Sequence, residues 1–293
     1  MCALAGLSGC ARGGSPGATE DSETSGRIKV VCTPELRALM DREVDAFRKL
    51  YPTSAIELTT GDSREGVAAL MSRTVDLVAA ARELAPEERD VRIKGGMQIE
   101  GYRIGKDGLC VVVHPDNPIL RVSVEELRRV YLGEITRWEE LRGSGGAIVP
   151  VIPPPGGDLM AAFDQRVMGG QAPTAPAVRA GSDSAVVALV RANRAAIGFV
   201  SGADPTGDVK VLRVSSLNGL PDWKPDAERV HDGDYPLVRT VNLFVRARGA
   251  RLANGLVTFV SSRDGQAIVH EAGFVPTAVP VRFVRRSPML GSH

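Results

Sequence analysis

The segments IKVVC (residues 28–32), AIELT (residues 55–59) and DLVAAA (residues 76–81) decide the fold of this chain. Each is a short, mostly apolar run of the length that is typical of a buried β-strand. The stretches between them, residues 36–51 and residues 64–71, carry apolar residues at helical spacing. Strands that alternate with helices in this way are parallel and are connected by crossover helices, which predicts a doubly wound α/β fold.

The same alternation continues along the chain. Ser123 is followed three residues later by Glu126, a capping-box pattern that predicts the start of a helix. Further strands are predicted at residues 109–113, 148–152, 196–200 and 237–245, and further helices at residues 160–167, 184–194, 252–260 and 265–271. The 293-residue chain is long enough for one large or two medium domains.

The order of the elements predicts two lobes joined by a two-strand hinge. Residues 27–113 and 238–283 are expected to form a discontinuous first lobe, and residues 114–237 an inserted second lobe. Each lobe is expected to be a mainly parallel sheet flanked by helices. Residues 1–26 are assigned to a leader and flexible tether, and residues 284–293 to a loose tail.

The first residues carry a targeting signal. Residues 7–10 read LSGC, which has the form of a bacterial lipobox, in which a cysteine, here Cys10, is lipidated and becomes the first mature residue. The stretch before it is shorter than a full signal peptide, and a chance run of small residues is the alternative. Residues 11–26 have the composition of a flexible tether. We expect a lipoprotein of the periplasm or cell surface, anchored to a membrane through Cys10.

Composition argues against several classes of function. The 36 Lys and Arg residues nearly balance the 35 Asp and Glu residues, so the chain lacks the basic field that nucleic-acid binding needs. Aromatic residues make up 4% of the chain, which disfavours a site that stacks sugars or bases. After the leader, no apolar run reaches the roughly 18 residues that predict a membrane span. We expect a monomer that does not bind nucleic acid.

No sequence pattern predicts catalysis or a bound metal. The four histidines are scattered, the four cysteines lack CxxC spacing, and no HExxH, GxSxG or Walker A motif occurs. Cys32 and Cys110 lie in predicted strands, where they are either a disulfide pair or two buried thiols. We expect no enzymatic activity and no cofactor.

Candidate ligand-binding residues lie in loops at the carboxyl ends of the predicted strands, where open parallel sheets bind their ligands. Helix N-termini at these loops present unpaired N–H groups, which suit an oxyanion. The candidates are Thr33, Gly61, Ser63, Arg64 and Arg82 in the first lobe, and Gly156, Gly157 and Asp158 in the second. The charge of Arg82 is expected either to emerge at the cleft or to pair locally with Glu83 or Glu87.

The loop at residues 61–64 is the strongest of these candidates. Gly61 permits a tight turn, Ser63 offers a hydroxyl donor, and Arg64 offers a bidentate grip on an anion. In the alternative interpretation, Asp62 or Ser63 is an ordinary N-cap and Arg64 points to solvent.

Six phrases in order relate this sequence to a known family. They are TGDSREG (residues 60–66), VDLVAAAREL (residues 75–84), YLGEITRW (residues 131–138), AIGFVS (residues 196–201), YPLVR (residues 235–239) and SSRDGQ (residues 261–266) with GFVP (residues 273–276). Over residues 27–280 the chain resembles the phosphate-binding proteins of bacterial ABC importers, in the type II periplasmic-binding-protein superfamily. The resemblance implies a two-lobed protein that captures phosphate or a similar oxyanion and delivers it to an ABC permease.

The pocket loops depart from the family pattern more than the scaffold does. A Gly-Ser-Thr-like first loop is replaced by CTP (residues 32–34), and an arginine of the second lobe is replaced by Pro153. A Ser-Gly-Thr helix start becomes GDL (residues 157–159), which places the carboxylate of Asp158 at the pocket. Such a carboxylate repels a phosphate dianion unless it accepts a proton from the ligand.

Two functions from different classes therefore stay open. In the first, the chain is the solute-binding lipoprotein of a phosphate-type importer. In the second, the scaffold no longer transports phosphate and either binds another ligand or acts as a sensor or partner-binding module. Permease and ATPase genes beside its gene favour the first function, and their absence favours the second.

Overall fold

A computed structural model describes residues 21–89, 98–173, 176–203 and 207–277 of the chain. The lipobox with Cys10 and the tail at residues 284–293 lie outside the described residues, so their predictions are not tested by the fold.

The described chain alternates strands with helices, as the sequence predicts. The strands are β1 (Gly26–Cys32), β2 (Ser54–Thr60), β3 (Leu77–Ala80), β4 (Ile99–Val113), β5 (Arg121–Ser123), β6 (Val149–Ile152), β7 (Val178–Arg179), β8 (Ala196–Ser201), β9 (Lys210–Val211), β10 (Arg213–Ser215), β11 (Asp222–Trp223), β12 (Val238–Arg246) and β13 (Val275–Pro276). The α-helices are α1 (Arg37–Leu50), α2 (Ser63–Met71), α3 (Val124–Tyr131), α4 (Asp158–Phe163), α5 (Asp183–Ala192), α6 (Ala227–Asp232), α7 (Arg251–Ser261) and α8 (Arg263–Glu271). A turn of π-helix, Asp164–Met168, continues α4.

Local chemistry explains where several helices begin. The Asp62 carboxylate accepts hydrogen bonds from the N–H groups of Arg64 (2.8 Å) and Glu65 (3.2 Å), and so caps α2. The capping box predicted at the start of α3 is present, because the Ser123 and Glu126 side chains each accept a hydrogen bond from the backbone N–H of the other.

Two sheet regions meet at strand β4. In the first region the order is β2-β1-β3-β12-β4, with β1 parallel to β2 and β3, and with β12 antiparallel to β3 and β4. In the second region the order is β4-β8-β6-β7, where β6 is parallel to β7 and β8, and β4 is antiparallel to β8. The two-lobed α/β fold is confirmed, and its sheets are mixed because β4 and β12 run against their neighbours.

Strand β4 passes from one lobe to the other. Its residues 99–108 pair with β12 in the first lobe, whereas Leu109–Val113 pairs with β8 in the second. The Leu109 N–H donates a hydrogen bond of 2.8 Å to the Leu237 carbonyl, so the two chain crossings lie side by side. A Cβ added at Gly108 would stand 2.9 Å from Val230, so this crossing leaves no room for a side chain. We propose that the first lobe ends here, earlier than the expected boundary at residue 113.

Each lobe has its own hydrophobic core. In the first lobe, helices α1, α7 and α8 pack on the sheet through residues such as Phe47 and Leu256. The second-lobe core contains Tyr131, Phe163 and Phe199. The rings of Phe163 and Phe199 stack with their centroids 3.9 Å apart. Cys32 and Cys110 are both buried, in different hydrophobic clusters, and no disulfide joins them, so the disulfide alternative is wrong for this structure. Burial raises the pKa of the Cys32 thiol to about 11.

Helix α1 buries a carboxyl group with no hydrogen-bond partner in the described chain. Glu43 is 0% exposed and neither of its carboxylate oxygens is hydrogen-bonded. Burial raises the pKa of Glu43 from its ordinary 4.5 to about 8, against the opposing charge of Arg42. Glu43 is therefore protonated at neutral pH in the folded state.

Because of this buried carboxyl, we expect the free energy of unfolding to depend on pH. Between about pH 4.5 and pH 8 the folded state keeps the proton of Glu43 and the unfolded state has lost it, so stability falls as pH rises through this range. Between pH 5 and pH 8, the free energy of unfolding of the Glu43→Gln variant, measured with urea, should fall by less than that of wild type. Glu57→Gln, at an exposed position, serves as the control. Equal pH dependence in Glu43→Gln and wild type would contradict this explanation.

Candidate functional site

The carboxyl ends of strands from both lobes meet in a buried polar cluster. Thr33 follows β1, Ala81 and Arg82 follow β3, and Ser63 is the first residue of α2. Asp158, the first residue of α4 in the second lobe, completes this set. The sequence therefore predicted the edge of the sheet at which the polar residues converge.

The Asp158 carboxylate joins the second lobe to the first. One of its oxygens accepts a hydrogen bond of 2.6 Å from the Ser63 hydroxyl, and the other accepts one of 2.7 Å from the Ala81 N–H. Asp158 is 2% exposed and Ser63 is equally buried. Two hydrogen bonds to a buried carboxylate form a directional contact between the lobes.

Arg82 braces this contact from the first lobe. Its Nε donates to the Ser63 hydroxyl at 2.7 Å and lies 3.6 Å from an Asp158 oxygen. Its two terminal nitrogens bind the Glu88 carboxylate at 2.7 and 2.8 Å. Burial lowers the pKa of Arg82, but the carboxylates of Glu88 and Asp158 outweigh it and raise the pKa overall. Arg82 therefore pairs locally, but the predicted partners Glu83 and Glu87 are wrong. Its carboxylate partner is Glu88, and Glu83 accepts a hydrogen bond only through its backbone carbonyl.

A second arginine, Arg239, is buried at the start of β12 near the hinge. Its Nε donates to Asp107 at 2.8 Å and one terminal nitrogen donates to Glu35 at 3.3 Å. The other terminal nitrogen, Nη2, is buried and has no hydrogen-bond partner in the described chain. Burial lowers the pKa of Arg239, while Asp107, Glu35 and Asp158 raise it, with a net increase. Sequence reasoning missed Arg239, although it ends the YPLVR phrase.

Thr33 supplies another buried donor. The residue is 3% exposed, and its hydroxyl has no hydrogen-bond partner within the described chain. Burial raises the pKa of the neighbouring Glu35 carboxyl, while the charge of Arg239 and the Thr33 hydroxyl lower it. Asp158 also raises the pKa of Glu35 and that of Arg239, which places all three charges in one electrostatic environment. Thr33 and Arg239 thus leave two buried donors available to a ligand.

Four predicted site residues lie at the edge of the cluster or outside it. Arg64 is exposed, as the alternative interpretation expected once Asp62 supplies the cap, so its predicted grip on an anion has no geometric support. The Gly61 N–H donates to the Cys32 carbonyl at 3.0 Å and closes the loop before α2. Gly156 and Gly157 are exposed, and Gly156 has φ +82°, so they shape the turn that delivers Asp158.

The described parts of the chain hold neither a cluster of metal-binding side chains nor a helix able to cross a membrane. No group of three or more His, Cys, Asp or Glu residues there could hold a metal ion. No described helix is both long enough and apolar enough to cross a membrane.

Two lobes that meet around a buried polar cluster define the class of two-lobed ligand-binding proteins. The family model described as PBP superfamily domain matches residues 17–264. The chain therefore belongs to the PBP superfamily.

Individual relatives support this assignment. The chain is 24% identical to the phosphate-binding protein PstS of Bacillus subtilis over 263 residues, which cover 89% of this chain and 84% of the relative. Its fold is similar to that of an ABC-type phosphate transport receptor from Vibrio cholerae, with a TM-score of 0.73 and 22% identity over 85% of this chain and 100% of the other. It is also similar to PstS from Borrelia burgdorferi, with a TM-score of 0.65 and 16% identity over 87% and 100% of the two chains.

Proposed function

We propose that this chain is a solute-binding protein that captures phosphate or a similar oxyanion and delivers it to an ABC importer. The observation that carries the proposal is the pair of buried donors without partners, the Thr33 hydroxyl and Arg239 Nη2, beside the contact between the lobes. Relatives named for phosphate binding or phosphate transport match most of the chain.

Unpaired buried donors have a physical cost that a ligand can remove. A buried polar group without a partner costs about 1–3 kcal/mol, so these two donors favour a ligand rich in acceptor oxygens. The planar guanidinium of Arg239 suits an oxyanion, and the Thr33 hydroxyl adds a neutral donor. The carboxyl of Glu35 can accept a hydrogen bond from a protonated ligand oxygen, which makes an anion less unfavourable beside it.

The location of the protein is part of the proposal. We infer an extracytoplasmic, monomeric binding protein without enzymatic activity, tethered to a membrane by a lipid on Cys10. The lipobox supports the tether. Mass spectrometry of the amino-terminal peptide from native membranes tests it, and an unacylated Cys10 in that peptide would refute it.

Calorimetry tests the ligand directly. The full chain, unfolded and refolded to remove any bound ligand, is titrated with phosphate and with sulfate. We expect one-to-one phosphate binding with micromolar or tighter affinity. Absence of heat with any oxyanion, from a protein shown to be folded by circular dichroism, would contradict the proposal.

The Thr33→Val variant locates the ligand within the cluster. Valine keeps the shape of threonine and removes its donor, so the variant should bind phosphate about 10- to 100-fold more weakly, as loss of a hydrogen bond to a charged ligand predicts. Thr136→Val, at an exposed threonine of the second lobe, is the matched control and should bind as wild type does. Equal phosphate affinities of the two variants would mean that the ligand does not contact Thr33.

A second function has one specific observation in its favour. Both arginines are already paired, the half-buried Arg82 with Glu88 and the buried Arg239 with Asp107 and Glu35, and Asp158 adds a further negative charge. This balance favours a ligand with less negative charge than a dianion, or a scaffold that acts as a sensor or partner-binding module. Calorimetry with neutral and zwitterionic solutes, and the presence or absence of neighbouring permease genes, distinguishes the two functions.

A further inference from the structure

The Asp158 carboxylate already makes the contacts that a bound oxyanion would make. A carboxylate is itself an oxyanion, with two oxygens that accept hydrogen bonds. One oxygen takes the Ser63 hydroxyl at 2.6 Å and the other takes the Ala81 N–H at 2.7 Å, with Arg82 Nε 3.6 Å away. These donors all belong to the first lobe, and the carboxylate belongs to the second.

The position of Asp158 is tied to the body of the second lobe. It begins helix α4, whose next residues Leu159 and Met160 are buried in the core that also contains Phe163. The carboxylate therefore cannot leave the donors of the first lobe unless α4 shifts or the lobes move apart. Hinge opening at the paired crossings of β4 and β12 would separate Asp158 from Ser63 and Ala81 together.

We propose that Asp158 is an internal ligand of the first lobe, called the latch below. Its carboxylate holds the two lobes closed, and an incoming anion must displace that carboxylate. This inference rests on the proposed anion-binding function, and it adds the residue that regulates access to the site. The free donors of Thr33 and Arg239 make the first contacts with the anion. The anion then takes over the Ser63 and Ala81 donors as Asp158 withdraws.

Competition of this kind lowers the apparent affinity for the anion. When only a fraction of the molecules has released the internal carboxylate, the measured dissociation constant rises by the reciprocal of that fraction. Removal of the carboxylate should therefore tighten anion binding, whereas removal of a direct ligand of the anion should weaken it. The sign of the change in affinity therefore shows whether Asp158 competes with the anion or binds it directly.

The Asp158→Ser variant tests the latch in two ways. In phosphate-free buffer, small-angle X-ray scattering of the full chain should give a larger radius of gyration for the variant than for wild type, because the lobes open. In calorimetry the variant should bind phosphate at least about tenfold more tightly than wild type. Asp208→Ser, which removes an exposed carboxylate of the second lobe, is the control and should leave both values unchanged. Asp158→Asn keeps one acceptor oxygen and should fall between serine and wild type.

The outcomes separate this inference from the proposed function. A variant that is as compact as wild type without phosphate, or that binds phosphate more weakly than wild type, overturns the latch. A variant that opens in phosphate-free buffer while neither protein binds any oxyanion supports the latch and refutes the anion-binding function. If Asp158→Ser fails to fold, the same criteria apply to Asp158→Asn.

Discussion

Replacement of Arg239 by glutamine is expected to lower the free energy of unfolding by about 3–5 kcal/mol and to abolish phosphate binding. The Arg239 side chain is 2% exposed and lies between the carboxylates of Asp107 and Glu35. Without it, the buried Asp107 and the partly exposed Glu35 lose their counter-charge. Asp107 keeps hydrogen bonds from Ser201 and from the Gly202 N–H, whereas Glu35 loses its ion-pair partner.

Urea unfolding of the Arg239→Gln variant measures the loss of stability. Arg213→Gln is the matched control, since Arg213 pairs with Asp222 at 2.6 Å but is half-exposed, and its loss should cost less than about 1 kcal/mol. Arg239→Lys keeps the charge but loses the planar fork, so it should fold better than the glutamine variant and still bind phosphate weakly. A glutamine variant as stable as wild type would contradict the assignment of Arg239 as the central buried charge.

Replacement of Phe163 by alanine is expected to cost about 3–5 kcal/mol in the free energy of unfolding. Its ring is fully buried, stacks on Phe199 at 3.9 Å and meets Tyr131 edge-on at 4.8 Å. Phe163 also ends the helix that begins with Asp158, so the cavity is expected to loosen that helix and weaken the contact between the lobes.

Thermal and urea unfolding of the Phe163→Ala variant check this expectation. Leu217→Ala, at a side chain that is 56% exposed, is the control and should stay within about 0.5 kcal/mol of wild type. A small effect of Phe163→Ala, comparable with that of the control, would mean that the second-lobe core does not depend on the aromatic cluster.

The sequence predicted those parts of the fold whose signals are local. Short apolar runs marked most of the sheet, and the Ser123 capping box marked the start of α3. It missed the first-lobe half of β4, residues 99–108, because Gly101, Gly105 and Gly108 interrupt the apolar pattern there. Close packing explains these glycines, since a Cβ at Gly101 would stand 2.9 Å from Phe244.

The residues of the candidate site at strand ends were predictable from the sequence, whereas Arg239, which lies within a strand, was not. Ser63, Arg82 and Asp158 directly follow or begin elements that the sequence reveals, so strand-end reasoning found them. Arg239 could not be found in this way, because a single arginine in a strand looks like a surface residue. Its partners Asp107 and Glu35 are 132 and 204 residues away in the sequence.

A crystal structure of the refolded full chain saturated with phosphate tests most directly whether the buried donors form an oxyanion site. We expect phosphate oxygens at about 3 Å from both Thr33 Oγ1 and Arg239 Nη2, with Asp158 displaced from Ser63 and Ala81. Phosphate bound elsewhere, or an occupied protein in which these two donors still lack a partner, would contradict the proposed site.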